Sequence, residues 1–290
     1  MRILIYGLGG VGGYLAAHLS QTKHEVIGVA RGAHLEAIQK NGLHVNDNGI
    51  LKEAKFNAID KSGLSGSFDL VLFCVKSYDL RDAALTCKPF IHKNSVVLSL
   101  CNGVEHGDTL RSLLDAKVLD GCIYILSHIE KAGVITKLGD VFNIVFNGSE
   151  LLAKLLDEAG LRYKIAENIA EAIWKKYIFI STFGVLTSYF DISIKDVYDN
   201  HSKEAQLFLS EVAAIAKAKN IEIDAEIQKS LITASKLPQN ASTSMHKDIK
   251  AKKRDELESL CGYLVREAKT LHVNAKEIEK YYDALLKVHH

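Results

Sequence analysis

The most chemically pointed residues lie within twelve positions of the N-terminus. Gly7-Leu8-Gly9-Gly10-Val11-Gly12 is a G-x-G-x-x-G pattern between an apolar run and an amphipathic one. After a strand and at the start of a helix, the first glycine makes a tight turn. The second lets the backbone approach a pyrophosphate, and the third lets helix and strand pack closely. The N–H groups and positive end of the helix then face the phosphates, so Gly7, Leu8, Gly9, Gly10, Val11 and Gly12 are read as a dinucleotide cradle. A ligand-free glycine turn is the bland alternative. An acidic residue is expected at the end of the second strand when the ribose 2′-OH is unmodified. Here the strand ends in Ala30-Arg31, and Arg31 has the donor fork suited to a 2′-phosphate, unless it is simply a solvated residue at a strand end. That favours NADP(H).

Two further polar residues follow apolar runs. Lys76 comes after Phe68–Val75, and Asn102, with Gly103, after Ser95–Leu100. In an open α/β sheet, ligands bind beyond the carboxyl ends of the strands. Lys76 can therefore add a second charge near the phosphate, and Asn102 can hold a nicotinamide ribose or a substrate oxygen. As ordinary features, they are a surface lysine and an Asn-Gly turn.

These residues need a parallel sheet to position them. Arg2–Tyr6, Glu25–Ala30, Phe68–Val75 and Ser95–Leu100 read as strands, the last two buried on both faces. Val11–Ser20 and His34–Asn41 read as helices between them. The alternation predicts a doubly wound α/β (Rossmann) domain. Val118–Ile125, Gly133–Leu138 and Val141–Phe146 also look like strands. Beyond Leu161–Ile165 the pattern becomes helical: Ile169–Tyr189, Lys203–Lys219, Ala225–Ser235, Ile249–Leu271 and Ala275–Val288, with Leu237–Met245 as a loop. The expected division is an NADP-binding domain over 1–166 and an all-α substrate and catalytic domain over 167–290.

Composition agrees with a globular two-domain chain. There are 290 residues, 36 basic against 35 acidic, for a net charge of +1. That balance speaks against a general nucleic-acid or membrane-surface binder. Five cysteines, none in a C-x-x-C pair, read as reduced core residues of a cytoplasmic protein, with no metal site. No apolar run approaches the roughly 18 residues of a membrane span.

Order and spacing together give this chain a resemblance to the ketopantoate reductases, the NADP-dependent enzymes of pantothenate synthesis. The glycine motif, Arg31, Lys76 in CVKSYD, Asn102 in CNGV, Trp174-Lys175-Lys176, Ser244 in STSMHKDI and Arg254-Asp255-Glu256 carry it over nearly the whole length. The resemblance implies NADPH on the first domain, an all-helical second domain, and a cleft between them. Lys176 resembles the family's catalytic lysine and Glu256 the acid beside it. Ser244 is similar to the serine that holds the substrate carboxylate, and Asn102 to the asparagine near cofactor and substrate. The implied reaction is reduction of 2-dehydropantoate (ketopantoate), a small 2-keto acid. Lys176 would be the general acid, in a monomer or homodimer without nucleic-acid or membrane partners.

One departure bears on substrate. Four and eight residues after its lysine the family usually presents asparagines; here these positions hold Ile180 and Gly184. Neither side chain can hydrogen-bond a substrate hydroxyl. A relative reducing another 2-keto acid or an imine is therefore the first alternative. The second is a dinucleotide-binding protein without turnover.

Overall fold

The computed structural model describes residues 1–289. The chain forms two compact units: Met1–Cys101 with Glu105–Ile169, and Asn102–Val104 with the chain from Ala170 onward. The division falls three residues beyond the expected boundary at 166. The expectation also lacked the short return of Asn102–Val104 to the second unit.

The first unit is built on a six-stranded parallel sheet. Its strands are β1 (Arg2–Tyr6), β2 (Glu25–Val29), β5 (Asn57–Ile59), β6 (Leu70–Phe73), β7 (Val96–Ser99) and β8 (Lys117–Leu119). They lie side by side as β5-β2-β1-β6-β7-β8. Counted along the chain this is 3-2-1-4-5-6, the doubly wound dinucleotide-binding order, whose switch point lies between β1 and β6. Alternation assigns the two faces. Ile3 and Ile5 of β1 join one core with Leu15 and Leu19 of helix α1 (Gly10–Leu19). Leu4 and Tyr6 join another with Leu80, Ala83 and Ala84 of α3 (Leu80–Cys87) and Leu110 of α4 (His106–Leu113). Helix α2 (Gly32–Asn41) follows β2.

A second sheet was not legible as such. Strands β3 (Leu43–Asp47) and β4 (Ile50–Ala54) form a hairpin around Asn48 and Gly49, both at positive φ. β9 (Gly121–Lys131), β10 (Val134–Phe146) and β11 (Tyr163–Ile165) complete it. The expected strand Val118–Ile125 is thus two strands in different sheets, separated at Asp120. The two expected strands Gly133–Leu138 and Val141–Phe146 are one, kept continuous through a register shift between Lys137 and Phe142. Such irregularities absorb extra residues without ending the strand. Helix α5 (Glu150–Glu158), capped by Ser149, closes this unit.

The second unit is helical: α6 (Ile169–Phe190), α7 (Ile194–Asn200), α8 (Ser202–Ala218), α9 (Ala225–Lys236), α10 (Ser244–Lys250), α11 (Tyr263–Leu271) and α12 (Lys276–His289). Helix α6 is buried along most of its length, including all of Ser181–Ser188, which explains its lack of a polar face. Ala205, Leu209, Val212 and Ala216 of α8 place an apolar stripe on the same core. The expected helix Ile249–Leu271 is broken. Helix α10 ends at Lys250, and Glu258–Gly262 form a π-helical turn before α11. No single helix among the described residues is long and apolar enough to cross a membrane.

Candidate active site

The glycine loop follows β1 at the switch point. Gly7 has φ +102°, and a Cβ there would lie 2.9 Å from the Cys74 carbonyl oxygen after β6. A Cβ at Gly12 would meet the Gly7 carbonyl oxygen at 1.9 Å. Both positions therefore require glycine. At Gly9, the N-cap of α1, a Cβ would meet nothing within 4 Å, so bare backbone borders open space. The first helical hydrogen bond runs from Gly13 N–H to Gly9 O at 2.8 Å. The N–H groups of Gly10, Val11 and Gly12 precede it and have no acceptor within the helix. This backbone fits a pyrophosphate. Leu8 and Val11 contribute backbone only, because their side chains pack into the core. Gly10 lies against the backbone of Ser127, where a Cβ would be 2.6 Å away.

His34 was not singled out in the sequence, yet it fixes this loop. Its Nδ1 accepts from Gly133 N–H at 3.0 Å, so its Nε2–H donates to Leu8 O, 2.8 Å away. Burial holds its pKa below the usual imidazole value, against the opposing bond to Leu8. A histidine in an apolar stretch carries no signal for this, since its partners are main-chain groups 26 and 99 residues away.

Arg31 and Lys76 follow β2 and β6, the two strands that flank β1. Arg31 caps α2 with its side chain 84% exposed, and its guanidinium lies 3.7 Å from Asp79. Lys76 is half-buried at the start of the turn Ser77–Asp79.

In the second unit, α6 carries Trp174-Lys175-Lys176. Trp174 is buried edge-on against Tyr177, with ring centroids 5.5 Å apart. Helical rotation separates the two lysines. Lys175 pairs with Glu171 on the surface, whereas half-buried Lys176 donates to Asn102 Oδ1 at 2.8 Å. An ammonium only donates, so the amide must present its oxygen. Gly103, at φ +138°, turns the chain beside Asn102, and Val104 packs on the second unit's core. The structure thus joins Lys176 and Asn102 across 74 residues of sequence.

Glu256 does not lie on a solvated face. It is 2% exposed and precedes the π-helical turn, where its carbonyl accepts from Leu260 N–H at 3.0 Å. Tyr177, next to Lys176, donates its hydroxyl to Ser259 O at 2.8 Å and lies 3.2 Å from Leu260 O, tying this turn to α6.

Ser244 is exposed in the first turn of α10, directly after Thr243, whose hydroxyl caps that helix. Two contacts pin this point to α6. Thr187 and Thr243 hydroxyls are 3.0 Å apart, and buried His246 bridges Ser242 (2.9 Å) to Asp191 (2.7 Å) just beyond the helix. Hydrogen bonds from His246 and then Lys250 hold the Asp191 carboxyl below its usual range. Among the described residues no group of three or more His, Cys, Asp or Glu is placed to hold a metal. Burial raises the thiols of Cys74, Cys87 and Cys261, so these cysteines are poor nucleophiles.

Comparison with known proteins finds relatives over nearly the whole chain. Residues 3–147 match the family model described as ketopantoate reductase PanE/ApbA, and residues 168–289 match its C-terminal model. An uncharacterized oxidoreductase, YkpB, of Bacillus subtilis is 28% identical, over 97% of each chain. The crystal structure of a PanE/ApbA family ketopantoate reductase from Ralstonia eutropha superposes with a TM-score of 0.92 at 29% identity, covering 99% of this chain and 98% of that one. A 2-dehydropantoate 2-reductase from Porphyromonas gingivalis superposes at 0.84 with 32% identity, covering 99% of both.

Proposed function

This chain belongs to the ketopantoate reductase family, and from that membership we propose that it reduces a 2-keto acid to the 2-hydroxy acid with NADPH, Lys176 being the proton donor. The family makes it an oxidoreductase of CH–OH groups that uses a nicotinamide dinucleotide. The preference for the 2′-phosphorylated form rests on Arg31 and Lys76, with no acid at the end of β2. The backbone of Gly7–Gly12 would hold the pyrophosphate.

When bound, NADPH supplies a hydride to C2 of the keto acid. The carbonyl π pair then moves to oxygen, where negative charge develops. The Lys176 ammonium stabilises that charge and passes one proton to the oxygen, leaving a neutral amine that regains a proton from water. Asn102 holds one of the three ammonium hydrogens and so fixes where the others point. Glu256 is proposed as the acid that favours the charged lysine, and Ser244 as the donor to the substrate carboxylate.

The Lys176–Asn102 hydrogen bond is the observation that carries this reading. It is tested by following NADPH absorbance with a panel of 2-keto acids that includes ketopantoate, the substrate for which the Ralstonia eutropha and Porphyromonas gingivalis reductases are named. Oxidation by wild type, reduced at least about a hundredfold in Lys176→Ala, is expected. Oxidation that survives the substitution, or tight NADPH binding without turnover on any keto acid, would overturn it.

A further inference from the structure

Resting on that reading, we propose that Tyr177 is a positioning residue for the proton donor: by tying its hydroxyl to the π-helical turn, it holds Glu256 in place for Lys176.

Tyr177 directly follows Lys176 on α6 and is 1% exposed. Trp174 and Tyr263 both meet its ring edge-on, with centroids 5.5 and 6.2 Å away. For that packing a phenylalanine would serve as well. The hydroxyl is an added burden, since burying one costs free energy unless it finds a partner. It donates to Ser259 O at 2.8 Å and lies 3.2 Å from Leu260 O, two successive carbonyls of the turn Glu258–Gly262. The phenol is thus a rigid arm that sets the separation between α6 and this turn.

A π-helical turn holds one residue more than the α-helical turn it replaces, and such turns are frequent at functional sites. This one begins two residues after Glu256. The Ser259 hydroxyl and the Leu260 N–H both donate to Glu256 O, at 3.1 and 3.0 Å. Ser259 and Leu260 therefore hold Glu256 on one side and Tyr177 on the other. Other charged groups on these elements are engaged elsewhere. Glu171 pairs with Lys175, Glu258 meets Arg266 and Tyr282, and Asp255 accepts from Leu257 N–H at 2.8 Å. Arg254 is exposed before the turn, and the Cys261 thiol within it is raised by burial. Glu256 is the buried carboxylate of this segment.

A carboxylate near an ammonium raises the lysine's pKa, and moving it away lowers that pKa. Reduction needs the charged lysine, so kcat falls on the alkaline side, and the midpoint of that fall reports Lys176. Tyr177→Phe keeps the ring and removes only the hydroxyl. It should lower the midpoint by about half a pH unit or more. Glu256→Gln should lower it further, and Tyr177→Phe should add nothing in the Glu256→Gln background. A hydroxyl with a structural role alone would lower the melting temperature and leave the midpoint in place. The same titration is read without turnover by labelling with acetic anhydride over a range of pH, followed by mass spectrometry of the peptide that holds Lys176. An unchanged midpoint in Tyr177→Phe, or an equal drop with and without Glu256, would overturn the proposal while leaving the reductase intact. If no 2-keto acid oxidises NADPH, the reductase reading fails, and the labelling series still decides whether Tyr177 acts on Lys176 through Glu256.

Discussion

Lys176 donates to Asn102 Oδ1 at 2.8 Å. The lysine stands on a long helix, and the asparagine on a three-residue excursion from the end of a sheet strand. Groups that act as one device are not additive when removed. Asn102→Ala should lower kcat by about tenfold, since it leaves the ammonium in place but removes the acceptor that orients one of its hydrogens. Lys176→Ala should lower it further, and the double variant should be no worse than Lys176→Ala alone. Multiplicative losses in the double variant would show that Asn102 acts independently.

Arg31 is predicted to set cofactor choice. It is mostly exposed, and its one described carboxylate partner, Asp79, is 3.7 Å away. Such a surface pair adds little stability, so Arg31→Ala should leave the melting temperature almost unchanged. A charge-assisted hydrogen bond to a phosphate is worth roughly ten- to a hundredfold in affinity. Fluorescence titration should therefore show NADPH binding weakened by that factor and NADH binding barely altered. Equal losses for the two cofactors would remove the 2′-phosphate assignment.

The glycine spacing and the continuous apolar runs made the first sheet readable. Their signals are local: a turn that only glycine allows, and strands buried on both faces. The helical half was readable from 3.6-residue periodicity. What escaped depends on contacts distant in sequence. Strand β4 is exposed over residues 50–53, so it shows little of the alternation that marks a half-buried strand, and β3 has no readable partner in the sequence. The break before Glu256 and the π-helical turn after it occur within a stretch that still has helical periodicity. The lysine was found by resemblance alone. Choosing Lys176 over Lys175 on physical grounds required seeing that one faces Asn102 and the other Glu171.

His34 makes the cofactor loop sensitive to acid. In the folded chain its ring is neutral, with Nδ1 accepting from Gly133 and Nε2–H donating to Leu8. Its folded pKa is lowered from about 6.5, chiefly by burial. The unfolded chain therefore takes up this proton first as pH falls, and the stabilisation from the neutral ring, full above about 6.5, is lost below it. Protonation also removes the acceptor for Gly133. Wild type should lose NADPH affinity and thermal stability as pH falls from about 7.5 to 5.5. His34→Gln should show a flatter dependence of both. A parallel fall in the variant would place the titrating group elsewhere.

His246 is predicted to act on substrate binding through position. It is buried, and in the neutral ring Nε2–H donates to Asp191 while Nδ1 accepts from Ser242, fastening the segment before α10 to the end of α6. Ser244 lies between Ser242 and His246 in the chain and is itself exposed. Removing the ring leaves the Thr187–Thr243 contact, so the helix should remain attached but less well placed. His246→Ala should raise KM for the keto acid about tenfold, with kcat within about threefold of wild type and NADPH affinity unchanged. His246→Asn, which can restore one of the two bonds, should recover part of the KM. Losses of kcat and NADPH affinity that match the change in KM would mean that the unit has unfolded and that His246 has no specific hold on Ser244.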